Sequence, residues 1–231
     1  MYILGIDTSS NMLIVSLSDD NRIITEYHSD KQMGLLQNLA PTVDNVLYEN
    51  SLTSQDIGAV AVSLGPGSFT GLRIGVAFAK TLAYSLDIPI IGVPTLKAMA
   101  KGVCGAFGDY ICPLIFARVD EVYCAAFMGD MKEMVIDYSF MTIDEILDNP
   151  LFKDKKVIFL GTGAQKHRDL IKERLPLCCV LDENYNFAKG FAINEIGFEE
   201  LQKGNRDNVK TLTPMYIKKP TPVIRKEKGI I

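Results

Sequence analysis

The chain has 231 residues, of which 48% are hydrophobic and 23% are charged, and it contains no tryptophan. This composition is typical of a globular protein with one large or two small domains. The formal net charge of -4 excludes a protein that binds nucleic acid over its whole surface. No segment has the apolar length of a membrane span, and the N-terminus begins directly in a strand pattern, so we expect neither a membrane anchor nor a signal peptide. Five cysteines without the spacing of metal ligands predict reduced, buried thiols in a cytoplasmic protein.

The first hundred residues alternate between strand and helix patterns, which is typical of an α/β fold. They predict a meander of three antiparallel strands, a helix, a strand, a helix, a strand and a short helix, over residues 2–6, 12–18, 23–27, 32–49, 56–64, 68–85, 88–93 and 95–102. Pro41 lies within the first helix pattern and predicts a kink or a restart there. Ser68 or Thr70 is expected to cap the second helix, and Thr95 the short one.

A glycine-rich interval, 102–108, predicts a boundary between two lobes, residues 1–103 and 104–231. Beyond it the order restarts with three strands, then a helix, a strand, a helix, a strand and a helix, over residues 111–118, 121–128, 133–138, 142–147, 157–160, 164–174, 178–181 and 192–203. Two halves of similar order predict a duplicated fold. The C-terminal tail is rich in lysine and arginine; it is either a solvated end or a surface for RNA or a partner, and it could return to the first lobe.

The segment 60–75, VAVSLGPGSFTGLRIG, predicts a buried strand that runs through a glycine turn into a helix. Backbone N–H groups at the start of that helix could hold an anion, but the glycine spacing matches neither a P-loop nor a dinucleotide fingerprint. The helix also carries four small residues at four-residue spacing, Gly71, Gly75, Ala79 and Ala83. Such a face permits close approach, either of the chain's own sheet or of a helix from another chain.

The first strand ends in a carboxylate and two hydroxyls, Asp7, Thr8 and Ser9. This group could orient a metal-bound nucleotide phosphate, or it could close the turn with its own backbone. Gly161 and Gly163, at a predicted turn from strand to helix, could cradle an adenosine or a phosphate. The sequence therefore leaves a vestigial nucleotide site open.

The segments 3–9, ILGIDTS, and 65–75, GPGSFTGLRIG, resemble the bacterial TsaB family, also called YeaZ; the second reads as the signature of that family without a change. The resemblance is close over the first hundred residues and loose in the second half. It departs at Leu35-Leu36, where the family commonly has His-Ser, and at Phe116, where an Asp usually precedes Ala-Arg. The resemblance implies a two-lobed actin-like fold, related to sugar kinases and Hsp70, with a mixed sheet in each lobe.

The family resemblance further implies a non-catalytic scaffold that dimerises with TsaD, the paralogue that transfers threonylcarbamoyl to the adenosine beside the anticodon of tRNA. The ATPase TsaE would join them, tRNA would be contacted only through the complex, and the chain alone would form a homodimer. We expect the contact on the two helices of the first lobe, at Leu36, Leu39, Val43, Phe69, Thr70, Gly71, Leu72, Arg73, Gly75, Ala79 and Ala83. Arg73 is expected either to reach across this contact or to pin the loop through an internal salt bridge.

No catalytic residue and no metal site is predicted. His28 and His167 have no partner at ligand spacing, and Ser68 lacks the spacing of a nucleophile elbow. We therefore expect no cofactor, or weak binding of ATP or ADP. Two alternatives remain open: an autonomous ATPase or phosphotransferase that works in the cleft between the lobes with Asp7, and an RNA-binding module that uses the basic tail.

Overall fold

The computed structural model describes residues 1–30, 34–105 and 108–217. The first half contains β1 Tyr2–Asp7, β2 Met12–Asp19, β3 Arg22–Asp30, α1 Leu35–Glu49, β4 Ile57–Gly65, α2 Phe69–Leu86, β5 Ile90–Pro94 and α3 Thr95–Lys101. The second half contains β6 Tyr110–Arg118, β7 Glu121–Met128, β8 Met134–Thr142, α4 Ile143–Leu147, β9 Val157–Leu160, α5 Thr162–Lys166, α6 Arg168–Arg174, β10 Cys179–Val180 and α7 Gly190–Gln202. Parts of three predicted features lie outside the described residues: the first turn of the helix at 32, the glycine-rich interval and the basic tail.

Two mixed sheets of five strands each form the frame of the molecule, in the orders β3-β2-β1-β4-β5 and β10-β9-β6-β7-β8. In each sheet an antiparallel meander is extended by parallel strands; Ile6, for example, lies opposite Val15 of β2 and Val62 of β4. The central strands β1 and β4 are apolar on both faces because helices cover both. The predicted mixed sheet in each half is confirmed.

Three hydrophobic clusters hold the layers together. One face of the first sheet packs against α1 and α2, with Leu4 and Val60 in its centre. The opposite face, which includes Ile3, packs with α3 and α7 against residues of the second sheet such as Ile111. A third cluster lies between the second sheet and α4 to α6, around Phe159. The helices α3 and α7 therefore form the layer that joins the two sheets.

The last helix, α7, follows the second half in sequence but packs on the first sheet. The Asn194 amide donates to Ile3 O at 3.0 Å and accepts from the Ser16 hydroxyl at 2.9 Å. At the start of α7, two backbone N–H groups donate to the Glu26 carboxylate of β3 at 2.9 Å each. Because Glu26 satisfies N–H groups that have no partner within the helix, it acts as the cap of α7. The lobe boundary at residue 103 stays a prediction, but α7 lies with the first sheet.

Several local predictions are confirmed and others are wrong. Ser68 caps α2, since its hydroxyl accepts from Gly71 N at 3.2 Å. Thr95 does not cap α3: it is the first helical residue, and its hydroxyl accepts from Gly65 N at 3.1 Å instead. The helix α1 continues through Pro41 without a restart.

The second half differs from prediction at its helices. The single helix expected over 164–174 is two helices, α5 and α6, which meet at His167. The strand β8 runs on to Thr142, where the side chain of that residue caps α4. Among the described residues, no helix has both the length and the hydropathy needed to cross a membrane.

Candidate partner-binding surface and the interlobe cleft

The glycine turn places the start of α2 directly on the end of β1. Gly65 has a φ of +107°, a conformation that favours glycine. Ser68 N donates to Ser9 O at 2.6 Å, and a Cβ atom on Gly67 would overlap that same carbonyl oxygen. The glycines of the motif are therefore explained by the close approach of two backbones.

The stripe of small residues faces inward, onto the chain's own sheet. Ala79 and Ala83 are 0% and 1% exposed and belong to the cluster around Leu4 and Val60. A Cβ atom on Gly75 would overlap the hydroxyl of Thr8. Of the two explanations for the stripe, packing within the chain is the one that the structure shows.

The predicted contact residues accordingly divide into two groups. Seven are buried within the chain and are not available to a partner: Leu39, Val43, Gly71, Leu72, Gly75, Ala79 and Ala83. Four remain exposed on the two helices: Leu36, Phe69, Thr70 and Arg73. We correct the prediction for the first group, because helical spacing shows which residues share a face but not which way that face points.

The exposed sides of α1 and α2 carry four large apolar side chains, two of which the sequence pattern did not single out. Those two are Tyr48, 83% exposed on α1, and Tyr84, 68% exposed on α2; Leu36 and Phe69, near the N-terminal ends of the same helices, are 74% and 46% exposed. Exposed aromatic and aliphatic side chains on neighbouring helices are typical of a protein-binding surface. We call these two outer faces the helix pair surface.

Arg73 contacts two aromatic side chains on this surface, Phe69 and Tyr216. Its guanidinium carbon lies 3.7 Å from the centroid of the Phe69 ring, and its Nε donates to the hydroxyl of Tyr216 at 3.2 Å. The Phe69 and Tyr216 rings lie 5.6 Å apart. None of the ion pairs between described residues involves Arg73, so the predicted internal salt bridge is not formed there. The sequence analysis did not assign Tyr216 to this surface, because Tyr216 lies 143 positions after Arg73 in the sequence.

The described residues that line the cleft between the two sheets are uncharged. A cavity of about 250 Å³ is lined by Ser9, Ser10, Asn11, Thr95, Met99, Ile115, Thr162, Asn186 and Phe187. It shares the turn after β1 with a wider opening of about 640 Å³ that reaches Gly67, Phe116 and Tyr123. Among the described residues, neither lining contains a lysine or an arginine, the side chains that position a transferring phosphate.

The residues predicted for nucleotide binding have local structural roles. The Asp7 carboxylate is buried, and its Oδ1 accepts from Ser9 N at 2.8 Å, so it closes its own turn. Gly161 has a φ of +95°, and a Cβ atom there would overlap Leu114 O. Gly163 also packs against β6, the strand that contains Leu114: a Cβ atom on Gly163 would lie 3.0 Å from the Cβ atom of Leu114.

The two histidines are far from forming a metal site. His28 Nε2 lies 2.7 Å from the Glu26 carboxylate on β3, whereas His167 lies between α5 and α6. Burial lowers the pKa of His167 below its ordinary value. Within the described ranges, no group of three or more histidine, cysteine or carboxylate side chains is placed to hold a metal ion.

Comparison with known proteins identifies the family of this fold. A family model described as "TsaD: tRNA N6-adenosine threonylcarbamoyltransferase" matches residues 31–221. The tRNA threonylcarbamoyladenosine biosynthesis protein TsaB of Bacillus subtilis is 36% identical over 180 residues, which are 76% of this chain and 77% of the relative. This chain belongs to the TsaB family.

Solved structures confirm the fold expected of a TsaB protein. YeaZ from Pseudomonas aeruginosa aligns with a TM-score of 0.77 at 24% identity, over 93% of this chain and 99% of that one. A Listeria monocytogenes protein described as a candidate N-acetylmannosamine kinase aligns with a TM-score of 0.51 at 13% identity, over 89% of this chain and 100% of that one. At such identities the likeness concerns the fold alone, and it confirms the predicted two-lobed architecture shared with sugar kinases.

The departures from the TsaB pattern lie at the two places described above. Leu36 is exposed on the helix pair surface, and its neighbour Leu35 packs against the hydrophobic cluster around Leu4 and Val60. Phe116 lines the wider opening of the cleft, and its N–H donates to the hydroxyl of Thr162 at 3.0 Å. Leu36 thus adds apolar area to the helix pair surface, and Phe116 adds an aromatic ring to the wider opening of the cleft.

Proposed function

We propose that this chain is a non-catalytic subunit in the formation of threonylcarbamoyladenosine in tRNA, and that it acts by binding a TsaD-like catalytic protein. Its membership of the TsaB family supports the pathway, since its Bacillus subtilis relative is named for the biosynthesis of that nucleoside. The uncharged cleft supports the non-catalytic role, because phosphoryl transfer and hydrolysis both depend on positioned charges. A TsaE-like ATPase would then act on the complex and not on this chain alone.

The helix pair surface is the observation that carries the proposal. It presents Arg73 stacked on Phe69, and Arg73 takes part in none of the ion pairs between described residues. Aromatic residues and arginine account for most strong contacts in protein interfaces, because both bury a large area with few rotamers to fix. We propose that this surface binds the catalytic partner and that it binds a second copy of the chain when the partner is absent. The two complexes would then exclude each other.

Sedimentation velocity of the chain with the TsaD-like protein of the same organism tests the proposal. Leu36→Asp places a charge in the apolar contact and should weaken the heterodimer at least tenfold, because the carboxylate would lose its water on binding. Leu177→Asp is the matched control, since Leu177 is 56% exposed in the second half, away from α1 and α2. Equal effects of both variants, or no heterodimer with the unmodified chain, would contradict the proposal.

The alternative of an autonomous ATPase has a test of its own. Isothermal titration with ATP and Mg²⁺ should show no binding, or only weak binding, because the described lining of the cleft supplies no cation for the phosphates. Tight binding that disappears in Asp7→Asn, with ATP turnover by the chain alone, would replace the non-catalytic proposal with this alternative.

A further inference from the structure

A second cavity, which we call the edge cavity, is lined by residues from both halves of the chain. Its volume is about 440 Å³, within the range of about 300–1,000 Å³ that is usual for small-molecule sites. The edge strands β5 and β8 contribute Ile91 and Tyr138, whereas α3 and α7 contribute Lys97 and Glu200. No described residue lines both this cavity and the cleft. The edge cavity is therefore a separate candidate site.

The edge cavity differs from the cleft because its described lining carries charges of both signs. Two basic side chains, Lys97 and Arg206, lie with two carboxylates, Glu200 and Asp207. An apolar ligand would displace water from these charges without replacing its hydrogen bonds, and a polyanion would be repelled by the carboxylates. The lining therefore favours a small molecule that carries one negative and one positive group.

Both basic side chains of the edge cavity have hydrogen-bond donors to spare. Arg206 is exposed and takes part in none of the ion pairs between described residues. Lys97 Nζ lies 3.8 Å from Glu200 Oε1, which is longer than a hydrogen bond. A guanidinium group can donate two parallel N–H groups to one carboxylate. A ligand carboxylate can therefore bind these two side chains without displacing a hydrogen bond of the described chain.

The two carboxylates differ in what they can still accept. Glu200 accepts from Lys203 at 2.9 Å through one oxygen and from Asn205 at 2.6 Å through the other. Asp207 Oδ2 accepts from Gly92 N at 2.7 Å, but its Oδ1 accepts from no described residue. Asp207 is therefore the carboxylate that can accept from a positive group of a ligand.

We infer that the edge cavity binds the carboxylate of a small α-amino acid through Arg206 and Lys97, and its ammonium group through Asp207. Such a ligand has no net charge, which matches a lining of two basic and two acidic side chains. The inference goes beyond the proposed function and holds or fails independently of it, because none of these residues lies on α1 or α2.

The rest of the lining indicates which side chain the amino acid carries. Ile91 and Ile196 supply apolar surface, and Tyr138 lies beside them with its hydroxyl. Burial raises the pKa of Tyr138 to about 12, so this hydroxyl stays neutral and can donate a hydrogen bond. A side chain with a methyl and a hydroxyl group, as in threonine, suits this lining.

NMR titration of the ¹⁵N-labelled chain tests this inference with L-threonine and two analogues that each lack one charge. Threoninol has no carboxylate, and β-hydroxybutyrate has no amino group. We expect threonine to shift the amide signal of Gly92, beside Asp207, with a Kd of about 1 mM or tighter. Each analogue should bind about tenfold more weakly, because one charged partner in the cavity is left without a ligand group.

Two variants assign each charge of the ligand to a side chain. Arg206→Gln should weaken the binding of threonine about tenfold and leave that of threoninol unchanged, since threoninol has no carboxylate to lose. Asp207→Asn should weaken threonine about tenfold and leave β-hydroxybutyrate unchanged, while its amide oxygen still accepts from Gly92 N. Arg22→Gln is the matched control, because Arg22 is an exposed arginine on β3, at the opposite edge of the first sheet. Equal melting temperatures show that the variants are folded.

These charge-specific losses, with Arg22→Gln unchanged, support the inference. The absence of any shift at Gly92 with threonine at about 10 mM, tenfold above the expected Kd, overturns it. Binding of β-hydroxybutyrate as tight as that of threonine would show a site for simple anions, which also overturns it. Equal Kd values for threonine in the unmodified chain and in all three variants would place threonine elsewhere, with the same consequence. Sedimentation velocity measures the heterodimer separately, so the proposed function stands or falls by its own experiment.

Discussion

Gly75 of α2 lies so close to Thr8 at the end of β1 that a Cβ atom on the glycine would overlap the threonine hydroxyl. The small face of the helix therefore positions the helix on its own sheet. Its opposite face, with Arg73, Ala77 and Tyr84, is exposed. Because the partner contact that we propose lies on this exposed face, packing within the chain and the proposed binding can be tested independently.

Substitutions on the two faces of α2 should separate folding from binding. Gly75→Ala should lower the free energy of unfolding by about 1–3 kcal/mol, because the added methyl group forces Thr8 or the helix to move. Ala77→Leu, on the exposed face half a turn away, should change it by less than about 0.5 kcal/mol. Urea denaturation followed by circular dichroism measures both values. A stable Gly75→Ala variant that fails only in partner binding would show that the small face is a contact for another chain.

How much the sequence predicts depends on how far apart the interacting residues are. The strands, the glycine turn and the Ser68 cap could be predicted because each depends on neighbours within a few positions. The return of α7 to the first sheet depends on the hydrogen bond between Asn194 and Ile3, which are 191 positions apart. No local pattern contains that pairing, and the same holds for Tyr216 on Arg73.

In the candidate sites, too, the sequence did not predict features that depend on tertiary packing. The sequence pattern correctly grouped Gly71, Gly75, Ala79 and Ala83 on one face of α2, but the direction of that face is set by the sheet it packs on. Asp7 was correctly placed at a strand end, and its hydrogen bond to Ser9 N shows that it closes the turn, whereas its role toward a phosphate stays a prediction. For the small residues of α2, the residue types allowed two roles, and tertiary packing distinguished them.

Arg73→Lys tests whether geometry or charge matters on the helix pair surface. Lysine keeps the positive charge but loses both the planar stacking on Phe69 and the Nε donor to Tyr216. We expect the affinity for the TsaD-like partner to fall about tenfold, or about 1.4 kcal/mol, with little change in the melting temperature. Arg118→Lys, at an exposed arginine of the second half, is the control. Retained affinity in Arg73→Lys, measured by surface plasmon resonance, would limit the role of Arg73 to its charge.

The cysteines should divide sharply in reactivity. The structure exposes Cys104 and Cys179, so the expectation that all thiols are buried was wrong for these two. Burial raises the pKa of Cys124 to about 12 and that of Cys112 well above its ordinary value, and it also raises the pKa of the half-buried Cys178. Because the thiolate is the reactive form, Ellman's reagent should titrate two thiols rapidly in the native protein and all five after denaturation. Four or five fast thiols without denaturant would contradict the placement of β6 and β7.

The stability of the second half should depend on pH through His167. Burial is the largest cause that lowers the pKa of this imidazole, and the charge of Lys166 lowers it further, whereas Asp120 and Asp144 raise it. The buried Nε2 atom of His167 has no hydrogen-bond partner among the described residues. The unfolded chain, with the ordinary pKa, therefore binds a proton at a higher pH than the folded chain does. Stability is complete above the ordinary pKa of histidine and declines as the pH falls below it.

Replacing His167 removes the titrating group that causes this decline. Urea unfolding at pH 7.5, 6.5 and 5.5 should show a smaller loss of unfolding free energy in His167→Phe than in the unmodified chain. Phenylalanine suits the site because Phe116 already lies there, with ring centroids 6.4 Å apart. His28→Phe is a weaker control, since it also removes the contact with Glu26, so the comparison should rest on the slope against pH and not on absolute stability. An unchanged slope in His167→Phe would show that this histidine is protonated equally in the folded and unfolded chains.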